Sequence, residues 1–346
     1  MKAVSLSILL LGVGLCAGNV PAQDKTGVKI TALGSHAGEY CAADRAMLFE
    51  DPTGVRILYD VGASVAGATD ARLGDIHGVL LSHAHSDHLG GTKLAGPDAG
   101  TCAKPETVSA APNSNTAEIA AAKNAAVITG NDMAGFLGKK MQVIRGSAVG
   151  NCAETGLLRV TTVPLSEPCL GGLQLGGKRT LAMKGQTRGV RITVVYAEHS
   201  NNVARNLMTD AGKVLENDNM TGYVGHANGY VLEFTNGLKV YLSGDTSLFG
   251  DMKAVVHDFH RVNLAVLNLG GTTMPSDEAA FIVNRLLQPA AVIPSHSSEW
   301  ATEGGKLRAG SRTEDFVKRV KGAKVYLALG GRTREFNGKG QCTAGC

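Results

Sequence analysis

The chain has 346 residues, a formal net charge of +4 and a hydrophobic fraction of 44%. The positive excess is small and scattered along the chain, which argues against a nucleic-acid-binding protein. The hydrophobic fraction is sufficient for a sizeable buried core, and the 45 glycines indicate the many tight turns of a layered α/β fold.

The first 22 residues have the pattern of a secretory signal peptide. Lys2 provides a basic start, the run from Val4 to Cys16 is apolar, and Ala22 offers a small residue at a cleavage site before Gln23. About 13 apolar residues are too few for a membrane anchor. Lipid modification of Cys16 is the other alternative, although Leu15 before it is larger than that processing usually accepts. We therefore predict a periplasmic or secreted protein with no stable membrane insertion after cleavage, whose single domain covers residues 23–346.

The number and spacing of the cysteines support the prediction of an exported protein. Six remain after the predicted cleavage, an even number in a chain expected to meet oxidising conditions, and none forms a CxxC pair. Disulfide bonds are therefore favoured over metal binding by thiolates. We expect Cys342 and Cys346 to fix the C-terminal tail, either to each other or to the body of the domain. The six cysteines are Cys41, Cys102, Cys152, Cys169, Cys342 and Cys346.

The N-terminal part reads as strands joined by turns. Residues 28–33 alternate as in a β-strand, and residues 46–50 and 55–59 form a pair across the turn at Asp51–Gly54. A further apolar strand covers residues 78–82. The stretch 92–168 is harder to interpret, and we predict an inserted or elaborated region that could border the active site.

Within that region the pattern favours a helix over residues 117–126 and a strand over residues 141–144. After it, the pattern is again that of alternating strands and helices. A hairpin is predicted across Asn236–Gly237, and Ser276 is predicted to cap a helix. The predicted strands are 190–196, 230–234, 238–242, 264–267, 290–293 and 325–329, and the predicted helices are 276–287 and 314–320.

Four candidate metal ligands fall within six residues, directly after the strand at 78–82. They are His83, His85, Asp87 and His88. A sharp loop at the end of a strand can turn all four side chains toward one point. Imidazole and carboxylate suit Zn²⁺, Mn²⁺ or Fe²⁺, and a ligand set without thiolate suits hydrolysis better than electron transfer. The segment therefore predicts a metal site.

The residues from His83 to His88 match the HxHxDH signature, and the chain therefore resembles the metallo-β-lactamase fold superfamily. This resemblance implies an α/β fold in which two mixed sheets are packed together and flanked by helices, an αββα sandwich. Three more candidate ligands lie just past the ends of apolar strands, in the order that the superfamily implies. They are His199, Asp245 and His296.

The resemblance also implies which metal each residue would bind. His83, His85 and His199 would bind one ion, whereas Asp87, His88 and His296 would bind the second. Asp245 would bridge the two ions. Asp60, at a strand end, is interpreted as a buried carboxylate that supports the metal ligands or anchors the loop, rather than as a ligand itself. His226 is interpreted as a loop histidine rather than a substrate contact. His36, His77, His257 and His260 are interpreted as structural.

The surrounding motifs are similar to the branch that contains ascorbate-6-phosphate lactonase. The N-terminal part, residues 33–62, is equally similar to the phosphodiesterase and ribonuclease Z branches. The spacing of 111 residues between His88 and His199 is longer than expected in the lactonase-like branch. The motifs that carry the resemblance are residues 229–233, 243–252, 270–274 and 292–296.

These features predict an exported hydrolase with two divalent metal ions, Zn²⁺ foremost, that uses a metal-bridging hydroxide on a lactone or a phosphate ester. Asp245 would hold the metals together, and Asp87 would orient the nucleophile or carry a proton. The alternatives are a non-catalytic metal-binding or sensing protein and a β-lactamase, which usually lacks a carboxylate like Asp245. A redox di-iron protein usually carries Glu at the position of His85. The expected partner is a small-molecule substrate, and a homo-oligomer is compatible with the sequence.

Overall fold

The computed structural model describes residues 27–208, 220–271 and 273–346. Within these ranges the chain forms two mixed β-sheets of eight strands each, with helices outside both sheets. The predicted signal peptide and Cys16 lie outside the described residues. In the described part of the chain, no helix is both long and apolar enough to cross a lipid bilayer.

The first sheet combines the N-terminal strands with strands from the C-terminal end. Strands are numbered along the chain, and neighbours in the following order are hydrogen-bonded. The order is β22 (Cys342–Ala344), β21 (Thr333–Phe336), β1 (Val28–Ala32), β2 (Met47–Glu50), β3 (Arg56–Tyr59), β4 (Gly78–Leu80), β7 (Ala126–Ile128) and β9 (Cys169–Leu170). Strands β3, β4, β7 and β9 are parallel, as expected where helices and long loops connect them.

The second sheet is formed by the C-terminal half of the chain. Its order is β20 (Lys324–Val325), β17 (Ala291–Ser295), β16 (Leu264–Asn268), β15 (Lys239–Leu242), β14 (Asn228–Glu233), β11 (Val190–Tyr196), β10 (Lys178–Met183) and β8 (Val160–Val163). Three two-stranded ribbons complete the described strands. They are β5 (Thr92–Leu94) with β6 (Thr107–Ser109), β12 (Asn202–Val203) with β13 (Gly222–Tyr223), and β18 (Thr302–Glu303) with β19 (Lys306–Leu307).

The helices cover the outer faces of the sheets. One short 3₁₀ turn, Arg205–Leu207, lies in a loop. The helices in the described ranges are α1 (Ser86–Leu89), α2 (Asn115–Ala122), α3 (Asn131–Arg145), α4 (Met252–Phe259, wound as a π-helix), α5 (Ser276–Phe281, continued by a π-helical segment over Ile282–Leu287) and α6 (Arg312–Arg319).

The alternation of side chains along the strands produces three apolar layers. In β14, Tyr230 and Leu232 point into the core between the sheets, whereas Val231 points outward to the layer under α4, α5 and α6. In β2, Phe49 faces the same central core, and Leu48 packs outward in the layer with α2 and α3. This period of two is what a strand covered on both faces requires. The predicted αββα sandwich is confirmed.

Most predicted elements agree with the structure. The predicted hairpin is formed by β14 and β15, and Gly237 has the left-handed φ of 92° that the turn needs. The predicted strand over residues 325–329 is shorter than expected, because only Lys324–Val325 pairs with β17. Ser276 is the first residue of α5 rather than its cap, and its hydroxyl contacts Asp315 of α6.

The predicted strand over residues 141–144 is wrong, since these residues lie in α3. The apolar side chains Met133, Leu137 and Met141 are buried at intervals of four, which is a helical period. The predicted helix over residues 117–126 begins earlier and ends earlier, as α2. Asn124, with a φ of 49°, turns the chain into β7, which joins the first sheet.

The six described cysteines form three disulfide bonds. Cys342 and Cys346 pair with each other, the first of the two arrangements expected from the sequence. The other two bonds lie in and beside the region 92–168. They are Cys41–Cys102 and Cys152–Cys169.

Tyr230 connects the two sheets at the edge where β4 ends. Its buried hydroxyl donates a hydrogen bond to the carbonyl oxygen of Leu81 at 2.5 Å. Tyr230→Phe leaves that carbonyl without this donor, and we expect the free energy of unfolding to fall by about 1–2 kcal/mol. Urea denaturation of the metal-free protein measures the change. Tyr223→Phe, at an exposed position, is the matched control, and equal losses for the two variants would contradict the prediction.

Candidate metal centre

The seven predicted ligands converge at one edge of the sandwich. Each follows the end of a strand: four lie just after β4, and the others follow β11, β15 and β17. This placement agrees with the sequence-based expectation that strand ends deliver the side chains. The seven are His83, His85, Asp87, His88, His199, Asp245 and His296.

Two glycines fix the backbone of the ligand loop after β4, one at the end of α1 and one packed against the loop. Helix α1 ends at Gly90, whose left-handed φ of 77° lets its N–H bond to the carbonyl of Ser86. Gly62 packs so closely that an added Cβ would lie 2.6 Å from the carbonyl oxygen of Asp87. These two positions need glycine, and they fix the backbone that carries Asp87 and His88.

The first group of ligand atoms is formed by His83, His85 and His199. One nitrogen from each lies within 4.8 Å of the other two. Nδ1 of His85 is 3.2 Å from Nε2 of His199, while Nε2 of His85 lies 3.3 Å from the hydroxyl of Ser200. His85 therefore directs Nδ1 into the group.

The second group is formed by Asp87, His88 and His296. Oδ2 of Asp87 is 3.2 Å from Nε2 of His296 and 3.6 Å from Nε2 of His88. His296 has a φ of 52°, a conformation that a residue other than glycine adopts at a cost. From this strained backbone, Nε2 of His296 faces the carboxylate of Asp87.

Asp245 lies between the two groups. Its Oδ1 is 3.4 Å from Nε2 of His88, and its Oδ2 is 3.1 Å from Nε2 of His296 and 3.9 Å from Nε2 of His199. The carboxylate thus contacts or approaches members of both groups. This is the position from which one side chain can bridge two cations.

Hydrogen bonds behind the ligands fix the tautomers of two histidines. Buried Asp60 accepts hydrogen bonds from the N–H and the hydroxyl of Ser82 and lies 2.8 Å from Nδ1 of His88. Because the Ser82 hydroxyl donates to Asp60, it accepts from Nδ1 of His83 at 2.9 Å. Both histidines therefore carry a proton on Nδ1 and direct Nε2 toward the site, the arrangement that metal-binding histidines adopt. Asp60 has the anchoring position that the sequence indicates.

Several buried polar atoms here have no hydrogen-bond partner within the described residues. They are Nε2 of His83, Nε2 of His88 and Oδ1 of Asp245. A buried polar atom without a partner costs about 1–3 kcal/mol. These three residues also form a group that could hold a cation. The residues present therefore fit bound metal ions, which would give these three atoms the partners that they lack.

The electrostatics of the site also favour cations. Burial lowers the pKa values of His83, His85 and His199, so that these imidazoles are neutral and able to bind metal near neutral pH. Burial opposes ionisation of Asp87 and Asp245, but the neighbouring histidines hold both carboxyl pKa values well below their usual range.

His88 is the exception among the four histidines around β4 and β11. Burial would lower its pKa, but the carboxylates of Asp245 and Asp60 raise it to about 10. In the metal-free site a proton on His88 therefore balances part of the negative charge. A divalent cation can take the place of that proton.

Sequence reasoning did not identify two residues that shape the site. Buried Arg45 donates hydrogen bonds from Nε and Nη2 to Oδ2 of Asp87 at 3.2 and 3.1 Å. Asn201 accepts from the N–H of Ala84 and donates to the carbonyl of His226, and so ties the ligand loop to a second loop. The only local signal for Asn201 is its position two residues after His199.

The remaining histidines lie outside the three groups. His226 is exposed, with its ring centroid 6.1 Å from that of Tyr196. Nδ1 of His77 accepts from the N–H of Arg56, and Nδ1 of His257 lies 2.7 Å from the carbonyl of Leu287. Those contacts are structural. The other two are His36, beside Ser35, and His260, near Glu233.

Comparison with known proteins agrees with the fold and the site. The profile of the metallo-beta-lactamase superfamily matches residues 45–110, which contain four of the seven candidate ligands. A solved structure, Igni18, a metallo hydrolase from the archaeon Ignicoccus hospitalis, has a TM-score of 0.51 at 18% identity, covering 89% of this chain and 97% of that one. The predicted resemblance to the metallo-β-lactamase superfamily is confirmed, and the chain has its fold.

The chain is also similar to UPF0173 metal-dependent hydrolases. One from Cupriavidus necator is 31% identical over 226 residues, which are 65% of this chain and 58% of that relative. One from Koribacter versatilis is 29% identical over 300 residues, covering 86% of this chain and 94% of the relative. The chain thus spans just under three fifths of the Cupriavidus relative and nearly all of the Koribacter one.

Proposed function

We propose that the protein is an exported, dinuclear metal-dependent hydrolase that acts on a lactone or a phosphate ester. The observation that carries the proposal is the convergence of seven imidazole and carboxylate side chains, several of whose buried ligand atoms have no protein partner. A complete set of this kind favours an enzyme over a non-catalytic binder of the same fold. The similarity to metal-dependent hydrolases supports the same class of activity.

The two groups of ligands would each hold one divalent cation, most readily Zn²⁺, with Mn²⁺ or Fe²⁺ as alternatives. Cations bound there would activate water as a nucleophile and polarise the bond to be cleaved. Asp245, between the groups, would bridge them. The resemblance associates such a bridging carboxylate with lactonases, thiolesterases and phosphodiesterases rather than with β-lactamases.

Asp87 is the ligand that is best placed to contact substrate. Its side chain is 47% exposed, whereas those of His88, Asp245 and His296 are at most 12% exposed. Its depressed pKa keeps Oδ1 and Oδ2 as hydrogen-bond acceptors near neutral pH. Of the two roles expected from the sequence, orienting the nucleophile therefore suits Asp87 better than delivering a proton.

Metal analysis together with a substrate panel tests the proposal. We expect about two divalent ions per chain, and hydrolysis of a lactone or a phosphodiester that chelation abolishes and Zn²⁺ or Mn²⁺ restores. The panel also contains thioesters and β-lactams. Two ions without turnover would favour the non-catalytic binder, and preferential turnover of a β-lactam would contradict the proposed substrate class.

Export is tested separately. The apolar leader and the three disulfide bonds among the described cysteines support it. Cell fractionation followed by N-terminal sequencing should find a chain that starts at Gln23 outside the cytoplasm. An uncleaved chain in the cytoplasm would contradict this part of the proposal.

A further inference from the structure

Arg45 has an unusual place beside the candidate metal centre. Its side chain is only 7% exposed, and two of its nitrogens donate to the same oxygen of Asp87. The third nitrogen, Nη1, donates to the carbonyl oxygens of Ala42 and Asp44 at 3.0 and 3.3 Å. The guanidinium is therefore fixed on one side by its own loop, and it fixes Asp87 on the other.

The loop from Cys41 to Arg45 is itself anchored. Cys41 is bonded to Cys102, and the N–H of Ala42 donates to the carbonyl of Cys102 at 3.1 Å. Buried Asp44 accepts from the N–H groups of Ser35 and Cys41 at 2.7 and 2.8 Å. The disulfide and these hydrogen bonds determine where the guanidinium of Arg45 lies.

Asp87 needs such support more than the other ligands do. It lies on the four-residue helix α1, and nearly half of its side chain faces solvent. A carboxylate in that position would otherwise sample several rotamers, and holding it for a metal would cost side-chain entropy. A planar guanidinium that donates two hydrogen bonds removes much of that freedom.

We propose that Arg45 is a positioning residue that orients Asp87 for the second cation, and that the Cys41–Cys102 disulfide holds Arg45 in place. The inference rests on the proposed two-cation site. Simple electrostatics predicts the opposite effect, because a guanidinium repels a nearby cation. If Arg45 orients Asp87, removing it should weaken cation binding. If Arg45 only repels the cation, removing it should strengthen cation binding.

Zinc titration of the metal-free protein against a chromogenic chelator tests the role of Arg45. For Arg45→Met we expect the affinity for the second ion to fall by about 10–100-fold, the range for residues that orient metal ligands. The first ion, held by His83, His85 and His199, should bind as in the wild type, which also shows that the variant is folded. Arg45→Lys retains the positive charge but not the paired donors of the guanidinium. It should reduce the affinity for the second ion less than Arg45→Met does.

The outcomes distinguish this inference from the proposed function. If the wild type binds fewer than two ions, the two-cation proposal fails. If it binds two ions and Arg45→Met binds the second equally well or more tightly, the positioning role alone is overturned.

The disulfide is tested by the same titration. The double variant Cys41→Ser, Cys102→Ser should also weaken the second ion, while the first remains bound. Cys342→Ser, Cys346→Ser removes a disulfide in the C-terminal tail and is the matched control, for which we expect two ions at wild-type affinity. Wild-type affinity for the second ion in the Cys41 and Cys102 variant would overturn the role of that disulfide.

Discussion

Replacing Asp245 with Asn is expected to lower hydrolysis by about 10³-fold or more and to leave the protein with fewer than two metal ions. Asn has nearly the same shape as Asp, so the change removes the negative charge and replaces one ligand oxygen by an NH₂ group, which cannot bind a cation. That charge lies within 4 Å of the ligand nitrogens of His88, His199 and His296. Without it, the two groups of ligands lose the only carboxylate that approaches both among the seven predicted ligands.

Metal content by mass spectrometry and turnover of the best substrate from the panel should be measured on the same preparation. Asp251→Asn is the matched control, because Asp251 is an exposed carboxylate six residues further along the chain and outside the three ligand groups. We expect it to retain two ions and wild-type turnover. Full activity of Asp245→Asn with two bound ions would refute the bridging role.

Much of the site could be predicted from the sequence because most of the candidate ligands lie close together in one short segment. Four of the seven ligands fall between His83 and His88, and the apolar strand before them indicates which edge they occupy. The other three are distant in sequence, but each follows an apolar strand. A shared edge of a layered fold brings such positions together. The position of a residue just after an apolar strand therefore identified candidate ligands even when they are more than a hundred residues apart in sequence.

The supporting contacts could not be predicted in this way. Arg45 reaches Asp87 because β2 begins at the edge of the first sheet where β4 ends, and no local pattern indicates a partner 42 residues away. The strand predicted over residues 141–144 is wrong for a related reason. These residues have β-type composition, yet tertiary packing against α2 buries one face of a helix. Contacts between side chains that are distant in sequence can therefore be identified only from the structure.

The metal-free protein is expected to be most stable near neutral pH. On the acid side, burial lowers the pKa values of His83, His85 and His199, so that the unfolded chain binds more protons and stability falls as the pH drops below about 6.5. On the alkaline side, the folded protein keeps a proton on His88, whose pKa is about 10. The stability contributed by that proton is complete below about pH 6.5 and is lost as the pH rises toward 10.

The alkaline loss should be about 3 kcal/mol between about pH 7 and pH 9.5, since one pKa unit corresponds to about 1.4 kcal/mol. Urea denaturation at several pH values measures it in chelator-treated protein. His88→Gln removes the group that binds the proton, so the free energy of unfolding should no longer fall above neutral pH. His226→Gln changes an exposed histidine outside the ligand groups and should leave that fall unchanged. Saturation with Zn²⁺ should also abolish the alkaline decline, because a cation would replace the proton. An unchanged decline in both His88→Gln and the metal-loaded protein would show that another group causes it.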